Sequence, residues 1–221
     1  MVPSPDHLSR RRSHLRTALA LAAGALALTA CFTGQRPSFE DEQPLDEPTG
    51  SAEIDVVLER LDSIGVESFS ADYEILTKFG SVESTATVVQ ADDGRRSITV
   101  NDIRFLINTG TDSTCDLVAD TCEAAINDAK ISDTQLTHDF YARSFAQRLR
   151  VDANRRVGDP RGYQITQAGQ QATCVDVPVT GGSKIYCALD SGQLARYDGA
   201  DQFIEIVAIG PDIDEAAFEP S

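Results

Sequence analysis

Histidine, basic residues and long apolar runs are scarce in this sequence of 221 residues. It contains 19 lysines and arginines against 35 acidic residues, and three histidines. This balance opposes nucleic-acid binding, which needs a basic surface, and electrostatic adhesion to anionic lipid headgroups. The apolar run at residues 17–30 is shorter than the roughly 20 residues that a membrane-spanning helix needs. The sequence therefore argues against nucleic acid as a partner and against a spanning helix at this run.

The short apolar run lies between a basic segment and a cysteine. Its end reads Leu28-Thr29-Ala30-Cys31, which resembles a bacterial lipobox. A basic start, a short apolar run and small residues before a cleavage site are typical of an export signal. The basic start consists of Arg10, Arg11, Arg12 and Arg16. We therefore predict a lipoprotein signal peptide over residues 1–30 and acylation of Cys31, with palmitate among the attached chains.

The predicted lipid anchor also predicts where the protein resides. Two or three acyl chains hold a protein stably at a membrane, because each buried methylene contributes about 0.8 kcal/mol. The expected location is the extracytoplasmic face of a bacterial cell membrane. The alternative is an ordinary cleaved signal followed by an incidental cysteine. The paired arginines in "RRSHLR" leave both general secretion and the twin-arginine route open.

Cleavage before Cys31 leaves 191 residues with 15 basic and 34 acidic side chains, a net charge near −19. Residues 31–50 hold the lipidated cysteine and an acidic, proline-rich stretch. Such a stretch has too few apolar residues to fold, so we expect a tether. Residues 51–221 have the length of one domain.

Four further cysteines form an even set in an exported chain, which favours disulfides. They are Cys115, Cys122, Cys174 and Cys187. Three connectivities exist, and proximity in sequence favours Cys115–Cys122 and Cys174–Cys187. A tight "TGGS" hairpin would place Cys174 opposite residue 189 or close to residue 187. The alternative is a metal site, but neither pair has the CxxC spacing of zinc ribbons, so we predict no metal.

The first half of the domain predicts one helix and then several strands. Apolar residues at 54, 57, 58, 61 and 64 form a single helical stripe. From Phe69 onward apolar and polar residues alternate, which is the period of a half-buried strand. The Asp-Gly pair in "ADDG" is a hairpin signal.

The second half predicts helices and then a second set of strands. The segments "CEAAINDAK" and "SDTQLTHDFYARSFAQRLRVDANR" are expected to be helical, with Ser132 or Asp133 capping the longer helix. Short strands separated by glycine-rich turns follow from Tyr163. The predicted fold class is α+β, with one large curled antiparallel sheet of about nine strands. This half-barrel carries the N-terminal helix and a helical insertion on its concave face.

The order of elements resembles the LolA/LolB/LprG-type lipoprotein carriers, a half-barrel closed by helices. "ADYEI" is similar to that family's first strand, "SGQLARYDGADQFIEIVAI" to its late strands and "DEAAFEP" to its common ending. The resemblance implies a LolA-like domain over residues 51–221. It also implies an apolar cavity that binds acyl chains, lipidated proteins or glycolipids without catalysis.

Alternation along the strands assigns six side chains to the inner face as candidate ligand contacts. They are Phe69, Tyr73, Ile75, Val88, Ile98 and Phe105. The preferred hypothesis is a membrane-anchored monomer that binds or carries a lipid or a lipidated ligand, with no cofactor. The alternative is an envelope adaptor that binds another protein and has no ligand cavity.

An enzyme with an unrecognised site is the third hypothesis. The chain after the signal peptide has one histidine, His138, which we expect on an exposed helix face. Ser144 lies poorly for a catalytic triad with it, and there is no GxSxG elbow. Carboxylates at residues 92, 93, 212 and 214 lack EF-hand spacing. We predict no catalytic residue.

Overall fold

The computed structural model describes residues 47–108 and 110–220. These residues lie within one unit of the chain, Leu45–Ser221. The signal peptide, Cys31 and most of the predicted tether lie outside the described residues, so their assignments stay predictions.

Eleven strands and two α-helices make up the described part of the chain. Helix α1 spans Ala52–Asp62, and helix α2 spans Arg143–Asn154. Short 3-10 helices lie at Asp128–Thr134 and Glu215–Phe218. The strands are β1 Phe69–Thr77, β2 Val82–Gln90, β3 Arg96–Val100, β4 Ile103–Asn108, β5 Thr111–Asp116, β6 Thr121–Ala124, β7 Arg161–Gln167, β8 Gln170–Val179, β9 Gly182–Leu189, β10 Leu194–Asp198 and β11 Gln202–Gly210.

All eleven strands form one open antiparallel sheet, in the order β6-β5-β4-β3-β2-β1-β11-β10-β9-β8-β7. Each half is a series of sequential hairpins, and pairing of β1 with β11 joins the halves, with Ile75 opposite Ile204. The predicted α+β class with one large antiparallel sheet is confirmed. The sheet has two strands more than the nine expected from the sequence.

The inner face of the sheet and the helices share one core. Along β1 buried residues alternate with exposed or half-buried ones, as the sequence pattern predicts. Helix α1 buries Ile54, Val57, Leu58 and Leu61, and it packs against α2 and strands β7 to β9. Buried side chains of both helices and of the strands join in a single cluster. The concave face is therefore covered by helices, as predicted.

The middle of the chain differs from the prediction. The expected helix over "CEAAINDAK" is instead strand β6 followed by the first 3-10 helix. Pairing of Cys115 with Cys122 holds β6 antiparallel to β5, and tertiary pairing overrides local helix preference. Gln135, at φ 57°, ends the 3-10 helix, so α2 begins only at Arg143 and neither Ser132 nor Asp133 caps it.

Both predicted disulfides are confirmed. Cys115 bonds to Cys122 between β5 and β6, and Cys174 bonds to Cys187 across the β8–β9 hairpin. The turn of that hairpin uses Gly181 at φ 91°, a backbone conformation that favours glycine. Of the two registers considered, the one that places Cys174 directly opposite Cys187 is present.

The C-terminal 3-10 helix covers part of the opposite face of the sheet. Phe218 is 4% exposed and packs with Val89 and Ala91 in a small second cluster. Arg95 holds the segment through Glu215, with 3.0 Å between Nη1 and Oε2. Since the strands, clusters and disulfides of the described residues all lie in Leu45–Ser221, we expect this unit to fold alone. Among the described residues no helix is both long and apolar enough to cross a membrane.

Candidate ligand-binding site

The six residues predicted to contact a ligand lie buried on the concave face. None exposes more than 5% of its surface, and all belong to the core shared with the helices. They are Phe69, Tyr73, Ile75, Val88, Ile98 and Phe105. The structure brings the six together on one face, and their contact with a ligand stays a prediction.

Residues 136–142, which we call the aromatic segment, cover the middle of this face. Phe140 packs edge-on against Tyr73, with 5.1 Å between ring centroids, and Tyr141 packs against Phe69 at 6.2 Å. The segment runs through turns between the first 3-10 helix and α2. It has no regular helix, and it is held by its buried side chains and by a backbone hydrogen bond from Leu194 N–H to the Tyr141 carbonyl, at 2.6 Å.

The hydroxyl of Tyr73 is buried beneath the aromatic segment. Tyr73 is 1% exposed, and its hydroxyl has no hydrogen-bond partner among the described residues. Burial raises the pKa of Tyr73 well above its usual value, and the nearby Tyr141 adds to the rise. The hydroxyl therefore stays protonated and able to donate, at an energetic cost of about 1–3 kcal/mol while unpaired.

One surface pocket reaches the edge of the inner face, and a second lies mainly over the opposite face. One, of about 670 Å³, is lined by Phe69 together with the turn that follows α1 and the end of β11. The other, of about 460 Å³, is lined mainly by side chains of the opposite face, among them Glu74, Leu76 and Phe203. Both volumes fall within the ~300–1,000 Å³ of small-molecule sites. Of the six predicted contacts, Phe69 lines the pocket at the edge of the inner face.

Helix α2 is fixed to the sheet by polar and aromatic contacts. Asp152 is 4% exposed and accepts hydrogen bonds from Lys184 Nζ, at 2.8 and 2.9 Å, and from the Tyr186 hydroxyl. Burial, more than any neighbour, raises the pKa of Tyr186 far above its usual value. The Phe145 ring also packs on Tyr197, with centroids 4.8 Å apart. These contacts tie α2 to β9 and β10.

His138 lies in the aromatic segment and not on a helix, which corrects the prediction. It is half-buried, and its backbone N–H and Nδ1 lie 2.7 and 3.1 Å from the carboxylate of Asp128. Ser144 stands in the first turn of α2. The contact with Asp128 joins the aromatic segment to the first 3-10 helix, so it has a structural role.

Two of the four carboxylates that lack EF-hand spacing, Asp93 and Asp214, serve local turns. Asp93 accepts from the backbone and side chain of Arg95, and these hydrogen bonds lower the pKa of Asp93. Asp214 accepts from the backbone N–H of Ala216. Within the described ranges no group of three or more histidine, cysteine or acidic side chains could hold a metal ion.

The sequence reasoning missed two residues near this face. Tyr141 stacks into the site although its segment was predicted to be helical. Arg96 begins β3 and shares the two-residue alternation of Ile98 and Val100, so it faces inward. The alternation of residues in "RRSITVN" indicates this inward position of Arg96.

No family model matches the chain, and no curated protein matches it. Several solved structures are similar to it. The structure of MucB is 13% identical, with a TM-score of 0.47, over 78% of this chain and 64% of that one. A MucA/MucB complex from Pseudomonas aeruginosa is 14% identical, with a TM-score of 0.45, over 77% and 62%. A LolA superfamily protein from Nitrosomonas europaea is 12% identical, with a TM-score of 0.36, over 75% and 97%.

These similarities are distant. The chain spans less than two thirds of the length of the MucB chains. A LolA superfamily protein is among these structures, and the sequence shows a distant resemblance to that superfamily. At such identities the likeness concerns the fold, and no ligand or partner of this chain follows from it.

Proposed function

We propose that this protein is a lipoprotein of the bacterial cell envelope that binds a hydrophobic ligand on the concave face of its sheet. Acyl chains on Cys31 would hold it at the extracytoplasmic face of the membrane. Two disulfides support an exported location, because such bonds persist in oxidising compartments. The net charge near −19 after cleavage supports a lipid anchor over electrostatic membrane attachment.

The observation that carries the ligand proposal is the unpaired hydroxyl of Tyr73. It lies among aromatic and aliphatic side chains at the centre of the inner face. A ligand with acyl chains and one ester or carboxyl oxygen would accept its hydrogen bond. The acyl chains would gain about 25 cal/mol per Å² of apolar surface removed from water.

Ligand entry would require the aromatic segment to move. Phe140 occupies the space directly above Tyr73, so a ligand reaching Tyr73 would replace the Phe140 ring. Helix α2 would remain in place, because Asp152 and Phe145 fix it to the sheet. The ligand would therefore replace the apolar contacts that seven residues, 136–142, make with the sheet.

A non-catalytic role agrees with the chemistry of the described residues. The His138 ring is turned to Asp128, and the Asp214 carboxylate accepts a hydrogen bond within its own turn. Nothing in this arrangement places a base against a nucleophile in the way that acyl transfer requires.

Native mass spectrometry of exported Leu45–Ser221 tests the proposal. We expect a bound species of lipid-like mass that organic extraction removes. Tyr73→Phe should weaken ligand binding and stabilise the empty protein by about 1 kcal/mol, because a buried unpaired hydroxyl disappears. Tyr197→Phe is the matched control: its hydroxyl donates to Asp201 at 3.1 Å, so its loss should destabilise the protein without affecting the ligand.

The filled state of the concave face favours a second candidate function. Phe140, Tyr141 and Phe145 are each no more than 3% exposed between the sheet and the helices. A solid interior suits an envelope adaptor that binds another protein. Purification without any lipid-like adduct, together with no effect of Tyr73→Phe on lipid binding, would favour the adaptor.

A further inference from the structure

A third pocket, of about 340 Å³, lies between the end of α1, the start of α2 and the first residue of β3. Its floor is apolar, because Leu61, Tyr141 and Ala142 are each no more than 3% exposed. Its walls carry charged side chains from three elements of the fold. We call it the arginine pocket, and its polar lining consists of Asp62, Arg96, Asp139, Arg143, Gln147 and Arg150.

Three arginines and two aspartates give this lining a net positive charge, in a chain whose overall charge is −16. Asp62 is paired with Arg150. Asp139 accepts a hydrogen bond from the Thr137 hydroxyl at 2.6 Å. Among the described residues neither Arg96 nor Arg143 forms an ion pair within 4.0 Å, so both guanidinium groups are available to an anion.

Arg96 connects the arginine pocket to the proposed ligand site. It occupies an inward position on β3, in the same row as Ile98. Its Nη1 donates to the hydroxyl of Tyr141 at 3.4 Å. Tyr141 in turn contacts Phe140, with ring centroids 6.1 Å apart, and Phe140 contacts Tyr73. A continuous aromatic path thus leads from the centre of the inner face to the arginines.

The start of α2 adds to the positive character of the pocket. Ala142 stands at the N-cap position and offers no side-chain acceptor, and the first turn contains no acidic residue. The partial positive charge of a helix N-terminus is therefore left uncompensated by the helix itself. Arg143 lies at the same place and reinforces it.

We propose that the arginine pocket binds the anionic headgroup, a carboxylate or phosphate, of an amphiphile whose chains lie on the concave face. Guanidinium groups bind both anions through paired hydrogen bonds. This inference rests on the proposed function and specifies its ligand class. Arg96 and Arg143 contact the anion, and the Tyr141 hydroxyl lies where the headgroup meets the chains.

Displacement of the neutral dye Nile red from Leu45–Ser221 by hexadecanoate and by hexadecanol tests the charge preference. Hydrogen bonds to a charged group contribute about 1.5–3 kcal/mol, so hexadecanoate should bind roughly ten times more tightly or better. Arg96→Gln with Arg143→Gln should weaken the binding of hexadecanoate by about tenfold or more and so abolish this difference. The control, Arg104→Gln with Arg155→Gln, removes the same charge outside the pocket. It should preserve the difference in affinity between hexadecanoate and hexadecanol.

Equal affinity for the acid and the alcohol in the unmodified protein would overturn the headgroup assignment while leaving the proposed function intact. If neither amphiphile displaces the dye, titration with inorganic phosphate separates the remaining cases. Phosphate binding that depends on Arg96 and Arg143 would indicate a site for a free anion. That result would overturn the assignment of the pocket to a lipid headgroup. No binding of any probe by the folded protein would overturn both proposals.

Discussion

Replacing Asp152 by asparagine should destabilise the protein more than any exposed charge substitution. The carboxylate is 4% exposed and sits between Lys184 Nζ and the Tyr186 hydroxyl. Asp152→Asn keeps the shape of the side chain but removes its charge. It leaves the ammonium group of Lys184 without a counter-ion at the interface of α2 and β9.

The expected loss follows from the burial of the pair. Breaking a buried ion pair by removing one partner costs about 3–5 kcal/mol. The Lys184 side chain is 22% exposed and can turn its ammonium group toward water. The lower limit, about 3 kcal/mol, is therefore expected. For a domain of this size it lowers the melting temperature by about 6–12 °C.

Urea and thermal unfolding of Leu45–Ser221 with both disulfides intact measure this loss. Asp190→Asn is the matched control, since Asp190 also forms an ion pair, with Arg60, but its side chain is 69% exposed. It should lose at most about 1 kcal/mol. A loss below 1 kcal/mol for Asp152→Asn, or equal losses for both variants, would refute the view that this contact fixes α2 to the sheet.

Three further predictions concern the anchor, a disulfide and a glycine. Cys31→Ser should leave an unprocessed precursor and abolish labelling by radioactive palmitate; undiminished labelling would contradict the lipid anchor. Joint replacement of Cys174 and Cys187 by alanine should cost about 3 kcal/mol in urea unfolding, from loop-closure entropy; an unchanged midpoint would contradict it. Gly192→Ala should destabilise far more than Gly181→Ala: both have φ above +90°, but only at Gly192 would a Cβ lie 2.7 Å from the Ile64 backbone. Equal losses would show that this close approach is unimportant.

The strands could be predicted because their signal is local. Alternation from Phe69 onward predicted which side chains face inward, and proximity in sequence with the glycine turn at Gly181 favoured the disulfide that forms there. The same alternation extends to Arg96, but the sequence reasoning missed it, because a charged residue at the end of a strand is easily taken for a surface residue. Its place in the arginine pocket depends on α1 and α2, which lie far from Arg96 in sequence.

The middle of the chain could not be predicted in the same way. The residues of β6 favour a helix locally, and only their pairing with β5 makes them a strand. Leu136 and Phe140 have helical spacing, yet the left-handed backbone at Gln135 ends the 3-10 helix before them. The packing of Phe140 on Tyr73 then depends on long-range contacts that no short pattern encodes.

Titration of folded Leu45–Ser221 with a fluorescent fatty acid tests the central claim most directly. We predict saturable binding at one site per chain, competed by unlabelled fatty acid. Tyr73→Asp with Ile98→Asp should abolish this binding, in protein that circular dichroism shows to be folded. Absence of saturable binding by the unmodified, folded protein would contradict the account.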